Sequence, residues 1–498
     1  MFSLKKGLLS LNWRIIGNIV GYIAIASGCL MVLPLIVCFI YGEHVAMPFI
    51  ISIVISLAVG LPLSRLKVKH TSYYAKEGMI AVGLAWIVVS FLGGLPFYFT
   101  NEIPSLVDCF FETVSGFTTT GSTILTDVEA LSKASLFWRS LTHWVGGMGV
   151  LVFVLAFLPR TNARTMFLAR AEMPGPTIGK LVPRMRQTAV ILYELYMGLT
   201  VLEIIFLLIG GMPLYDTLIH TFGTAGTGGF SCWGASVGYY NNPYFDYVIG
   251  IFMVLFGVNF NLYYFLMIKD FKSVYKNQEL HAYLAIVLGA SVLIAWNTLT
   301  VYHNFTDSFR YAFFQVASII TTTGYATYDY NSWPMFSKTL LILLTLLGAC
   351  AGSTGGGIKV SRMLVLLKKM KLDVQRLIHP QKVDAITMDG KVVDDKTVNS
   401  ILIYFAILMM LIAGAFIVVS LDNFDFESTL TAVFTCISNV GPGLGLVGPA
   451  GNFAAFSDLS KIVLSFCMLI GRLEIYPILV FLFPVFQATE IHKKKFRR

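Results

Sequence analysis

Ten apolar runs divide this 498-residue chain, near 15–41, 46–64, 77–99, 136–158, 188–210, 246–268, 282–301, 337–358, 398–420 and 460–486. Each is long enough to carry a helix through a hydrocarbon core about 30 Å thick. Backbone inside such a core must satisfy its polar groups internally, so the runs predict an all-α polytopic membrane protein with ten transmembrane helices. Composition agrees: 13% of residues are charged and 56% hydrophobic, against about 25% charged in an ordinary soluble domain. The first run is too long for a signal-peptide core and a second follows at once, so it is read as a retained helix. The seven cysteines are scattered singly, with no metal-ligand spacing.

The net charge of +9 is topological rather than a sign of nucleic acid. With ten spans, both termini share a side. The segments on that side, 1–14, 65–76, 159–187, 269–281, 362–396 and 487–498, hold 29 of the 36 lysines and arginines, and the opposite side holds five. The positive-inside rule therefore predicts cytoplasmic termini.

The outer connections contain apolar pieces too short to span, 104–117, 213–223, 308–320 and 425–438. Each returns through a segment that ends on glycine: SGFTTTG to Gly121, GTAGTGG to Gly229, SIITTTG to Gly324 and TCISNVG to Gly441. Six residues before the glycine stand Ser115, Gly223, Ser318 and Thr435, all small. Four before it stand Phe117, Ala225, Ile320 and Ile437, all apolar. The pattern predicts four re-entrant pore helix-loops. Four pseudo-repeated helix–pore loop–helix units, 71–170, 171–275, 276–375 and 376–498, follow an N-terminal two-helix hairpin, 1–70. Irregular backbone at membrane depth must line a cavity or be enclosed by protein, so the four loops are expected to meet. A ring of carbonyls aided by threonine hydroxyls, at the negative ends of four half-helices, suits a dehydrated cation. No lysine or arginine lies in these segments, which speaks against an anion pore. The alternative is that the loops are ordinary re-entrant turns that pack helices.

The run at 337–358 reads LLTLLGACAGSTGGGIKVSR towards its end, with five glycines between 348 and 357. Glycine costs a helix about 1 kcal/mol relative to alanine, so this span is expected to break into a loop beneath the ring. A flexible helix end or a close helix contact is the other reading. The P-loop spacing from Gly352 to Gly357 fails because Ile358 intervenes before Lys359. Arg472, in the last apolar run, is expected either to pair with Glu474 or to face the pore. No convergent nucleophile, base and metal set is present, so no enzyme activity is expected.

TTTGST (118–123), TGGFS (227–231), TTTGY (321–325), NVGPGLG (439–445), GSTGGGIK (352–359) and GRLE (471–474) together resemble the Trk/Ktr/HKT potassium-transport superfamily, and within it the TrkH-type membrane subunit. The resemblance covers essentially the whole chain. It implies potassium as the transported ion and no bound cofactor. The selectivity filter it implies consists of Thr119, Thr120, Gly121, Thr227, Gly228, Gly229, Thr322, Thr323, Gly324, Asn439, Val440 and Gly441, with either Gly228 or Gly229 as the second filter glycine. In relatives that prefer sodium the first glycine is a serine. An intramembrane gate is implied at Gly348, Gly352, Ser353, Thr354, Gly355, Gly356, Gly357 and Lys359, with Arg472 facing the pore beneath the filter. A homodimer in the inner membrane is implied, working with a TrkA-like cytoplasmic nucleotide-binding regulatory subunit that docks on the basic segments 159–187 and 362–396. Two departures stand out: the second loop has extra glycines and the fourth lacks the threonine run. A sodium- or proton-coupled transporter of a monovalent cation or small solute is the alternative function.

Overall fold

The computed structural model describes residues 12–66, 75–149, 185–379 and 384–475. Both termini, the ends of the runs 136–158 and 460–486, and most of the segment 159–187 lie outside the described residues.

Helices dominate. The chain opens with α1 (Trp13–Leu30), α2 (Val32–Tyr41) and α3 (Ala46–Ser64). Small residues let the first and third approach closely: a Cβ on Gly21 or Gly60 would strike the backbone of the partner helix, the close approach that membrane helices use in place of a hydrophobic drive. One order of elements then recurs. A long helix leads to a short helix and a loop, and a second helix follows. The first set is α4 (Ala75–Phe99), α5 (Leu106–Phe117) and α6 (Lys133–Gly147). The second is α7 (Met185–Ile209), α8 (Leu214–Gly226) and α9 (Pro243–Phe256), continued by α10 (Phe260–Met267) and the single turn α11 (Phe271–Tyr275). The third is α12 (Gln278–Tyr302), α13 (Phe305–Ile320), α14 (Met335–Leu346) and, beyond a loop, α15 (Val360–Ile378). The fourth is α16 (Asp395–Val419), α17 (Phe426–Ser438) and α18 (Asp458–Arg472).

Among the described residues, six helices are long and apolar enough to cross a membrane, or seven if a bent pair counts as one. That pair corrects the expected single span at 246–268: α9 and α10 meet at 89°. Gly257 interrupts the first helix, and Asn259 caps the second by accepting from the Asn261 N–H at 2.9 Å. The short helices α5, α8, α13 and α17 are the expected sub-span pieces, and their inward faces are fully buried.

The all-α expectation also missed a small antiparallel hairpin, β1 (Thr387–Met388) with β2 (Lys391–Val392), in register Thr387↔Val392. Its turn is Asp389–Gly390, both with positive φ, the Asp-Gly signal of a two-residue hairpin. Ile386, Met388 and Val393 pack it on α15 and α16.

Candidate functional site

The four short helices end in the same way. Counting back from Gly121, Gly229, Gly324 and Gly441, the N–H at position −1 reaches the carbonyl at −6 in every copy: Thr120 to Ser115 (2.9 Å), Gly228 to Gly223 (2.8 Å), Thr323 to Ser318 (2.8 Å) and Val440 to Thr435 (2.9 Å). The N–H at −2 reaches the carbonyl at −5. These paired bonds make a Schellman closure, which requires a left-handed residue at −2. Thr119, Thr227, Thr322 and Asn439 occupy it, with φ of 54°, 55°, 60° and 57°. Three of the four are β-branched, for which this conformation is an outlier costing on the order of 1–2 kcal/mol. Strain of this kind gathers at functional sites. The −6 carbonyl that each closure uses belongs to the small residue already visible as a weak repeat.

Beyond each closure the glycine also has positive φ, 85°, 80°, 83° and 95° in chain order. A Cβ on Gly121 would fall on the carbonyl oxygen of Gly228, one on Gly229 on that of Thr323, and one on Gly324 on that of Val440. A Cβ on Gly441 would stand 2.7 Å from the carbonyl oxygen of Thr120. Each loop therefore gives its −1 carbonyl to the glycine of the loop before it, and the fourth returns to the first. The ring is closed, and only glycine fits at four points on it. Gly229 holds the position equivalent to the other three glycines, and Gly228 stands at −1.

The two odd loops now have physical causes. In the second, Gly226 lies against the backbone of His143 and Trp144, Gly228 against the His143 ring, and Gly223 against the Tyr325 hydroxyl. The extra glycines make room for α6 and for the third loop. His143 is buried, bonds Gly116 O at 2.7 Å through Nδ1 and lies against the Phe230 ring, tilted by 31° with centroids 4.1 Å apart. In the first and third loops paired hydroxyls brace the turn, Thr118 with Thr120 and Thr321 with Thr323, each at 2.8 Å. The fourth loop has Asn439 instead. Its amide nitrogen reaches across to the Thr120 hydroxyl and to the Met468 carbonyl, both at 2.9 Å.

Beneath the ring lie two interrupted helices. The chain leaves α14 at Leu346 and starts α15 only at Val360. Gly356 N–H donates to the Thr322 hydroxyl at 2.6 Å, and Cβ atoms on Gly355 and Gly356 would meet the carbonyls of Thr321 and Ser438. The loop 347–359 is thus seated on the undersides of the third and fourth ring loops. It also fills the break between α9 and α10. Cys350 N–H donates to Gly257 O and Phe260 N–H to Gly352 O, both at 3.0 Å. Each break satisfies polar groups the other exposes, the condition for irregular backbone at this depth.

Two cations sit among these carbonyls. Lys359 Nζ donates to Gly355 O and, at 3.1 Å, to Gly356 O. Arg472 donates to Thr354 O (2.7 Å), Gly146 O (2.5 Å) and Gly147 O (2.7 Å). It joins the loop to the C-terminal end of α6, where a cation complements the helix dipole. Glu474 pairs with Arg362 at 2.5 Å. A cavity of about 550 Å³ opens below, lined by Glu279, Gly352, Lys359, Arg472, Asp389 and Tyr404 among others.

All twelve ring residues and all nine residues beneath them are thus brought together. The break at Gly257 was missed. Its signal was the Gly257–Val258–Asn259 step, a glycine followed by a helix-capping asparagine. At the outer ends, Ser105, Asn304 and Asp425 cap α5, α13 and α17. The Ser428 hydroxyl and N–H hold Asp425 below the usual carboxylate range.

The sequence profile of the TrkH family, described as "Cation transport protein", matches residues 45–489. The chain belongs to the TrkH family. It is 36% identical over 491 residues to the Trk system potassium uptake protein TrkH of Salmonella typhimurium, covering 96% of this chain and 99% of that one. It is 33% identical over 472 residues to the Trk system potassium uptake protein TrkG of Escherichia coli (strain K12), covering 94% and 97%. The crystal structure of the potassium transporter TrkH from Vibrio parahaemolyticus superposes with a TM-score of 0.85 at 31% identity, covering 96% of this chain and all of that one.

Proposed function

We propose that this TrkH-family chain is a potassium uptake protein of the inner membrane and that the closed four-glycine ring is its selectivity filter. The observation that carries the reading is the cyclic placement of four −1 carbonyls against four glycines. Carbonyls so arranged replace a cation's hydration shell. The four short helices add the negative ends of their dipoles at the same place. Relatives that match nearly full length bear the name potassium uptake protein.

On this reading residues 71–498 form four repeats after the hairpin 1–70, with cytoplasmic termini. The loop 347–359, with Lys359 and Arg472, is the gate, since it occupies the path below the ring and puts two positive charges on it. The membrane assembly is a homodimer that works with a TrkA-like cytoplasmic regulatory subunit, and no enzyme chemistry is assigned to the chain. The second broken helix, at Gly257, is the one feature that favours a coupled carrier. Its hydrogen bonds to the loop make it part of the gate's seat instead.

The test is growth and flux. The chain restores growth of an uptake-deficient bacterial host at low potassium, and Gly121→Ser lowers the potassium-to-sodium flux ratio several-fold. An unchanged ratio in that variant removes the filter assignment.

A further inference from the structure

Glu279 lies in the first turn of α12, is 5% exposed, and belongs to neither the ring nor the loop beneath it. Its Oε1 accepts from Ala351 N–H at 2.7 Å and from Ser361 N–H at 3.0 Å. One carboxylate oxygen therefore grips the segment 351–361 at both ends. The second bond explains how α15 starts. Its N-cap is Lys359, which has no side-chain acceptor, and no side chain of its own caps it. The missing capping oxygen comes from a different helix, and a negative charge is favoured at that end of α15.

The turn that carries Glu279 is held from its other side by the β-hairpin. Asp389, in the hairpin turn, accepts from Gln278 N–H at 2.8 Å and from the Asn277 side-chain amide at 3.1 Å. Lys368 of α15 donates to Gln278 Oε1 (2.5 Å) and to Thr387 O (2.7 Å). The hairpin turn is exposed, and both Asp389 and Glu279 line the cavity below the loop. Three consecutive residues, the N-cap Asn277 and the first two residues of α12, Gln278 and Glu279, thus touch the hairpin at one end and the loop at the other.

We propose that Glu279 is the positioning residue that keeps the 351–361 segment seated against the ring, and that the hairpin sets it through Asp389. The proposal rests on the gate reading above. Movement of the hairpin away from α12 frees the first turn, withdraws the carboxylate from Ala351 and Ser361, and lets the loop drop into the cavity. A regulator that acts on the exposed hairpin has a direct mechanical route to the loop without touching the ring.

The experiment uses the full chain in proteoliposomes, with rubidium and sodium tracer flux, and amide hydrogen exchange of the same preparations. Glu279→Gln keeps shape and an acceptor but removes the charge that strengthens both bonds, so basal rubidium flux rises about tenfold or more. The rubidium-to-sodium ratio stays at the wild-type value. Exchange at Ala351 and Ser361 accelerates, while the closure amides of Thr120, Thr323 and Val440 keep their protection. Asp389→Gly preserves the positive-φ turn and removes the carboxylate. Its flux rises in the same direction by a smaller factor, and the double variant exceeds Glu279→Gln by nothing. Unchanged flux and exchange in Glu279→Gln overturn the proposal. So does a rise accompanied by lost ion discrimination, since the residue then supports the ring rather than the loop. Effects of the two substitutions that multiply remove the relay through Asp389. Vesicles that pass neither ion with the wild type, with Glu279→Gln or with the 350–356 deletion contradict the transport reading itself, and the exchange result still decides whether Glu279 holds the loop.

Discussion

Gly228 and Gly229 are neighbours of the same type with different reasons to be glycine. Gly229 has φ of 80°, and a Cβ there would fall on the Thr323 carbonyl, a fixed part of the ring. Gly228 does not need positive φ; a Cβ there would meet the His143 ring. At the equivalent −1 position the other loops carry Thr120, Thr323 and Val440, so side chains are compatible with the ring itself. Gly228→Ala should therefore lose potassium flux and regain much of it when combined with His143→Ala, which vacates the space. Gly229→Ala should lose flux whatever stands at 143, since left-handed backbone costs alanine on the order of 1–2 kcal/mol before any overlap is counted. Rescue of both variants, or of neither, by His143→Ala in a flux assay contradicts this division.

At the scale of elements, the broken helices matter most. Five glycines between 348 and 357 made the break after α14 legible, because glycine weakens a helix and each added one compounds the effect. The break after α9 has one glycine and an asparagine cap, a signal too local to stand out inside an apolar run of that length. What holds it open is tertiary: Gly257 O and Phe260 N–H bond to Cys350 and Gly352 of a segment nearly a hundred residues away. Deleting 350–356 should raise basal potassium leak through vesicles in both directions. It should also speed hydrogen exchange at Phe260, which loses its partner carbonyl. A deletion variant as tightly closed as the wild type contradicts the gate, and unaltered exchange at Phe260 contradicts the shared seat.

At the scale of the molecule, ion pairs run around the ring from one set of helices to the next. Asp246 of α9 meets Arg310 of α13 at 2.7 Å, and Lys338 of α14 meets Glu427 of α17 at 3.8 Å. Lys461 of α18 meets Asp108 of α5 at 2.6 Å, which joins the last set of helices to the first. Among the described residues no ion pair joins the first set of helices to the second; the bonds there include Tyr215 hydroxyl to Lys133 O at 2.7 Å and Gly234 N–H to the Glu129 carboxylate at 3.2 Å. The acidic residues at the N-terminal ends of the short helices thus serve mainly as caps and braces. Lys461 is buried and Asp108 half-buried, so removing the carboxylate strands a buried charge, and Asp108→Asn and Lys461→Met should each lower the thermal stability of the detergent-solubilised protein. Together they should cost less than the sum of the two, with a coupling of about 1 kcal/mol or more. Strict additivity in that cycle shows that the pair does not close the ring.

The sequence by itself determined the all-helical membrane class, the alternation of long and short helices and the four loop ends. Each of these follows from local rules: run length against membrane thickness and the chemistry of helix closure. A closure between positions −6 and −1 lies within one segment, so its small residues and its glycine recur legibly in all four copies. Only the tertiary structure decided which carbonyl faces which glycine, why the second loop needs additional glycines, that a second helix breaks, and that Glu279 caps a helix other than its own. Those contacts join residues tens to hundreds of positions apart. Their energetics depend on which backbone groups are left without partners once the helices are packed, and no single stretch of chain carries that information.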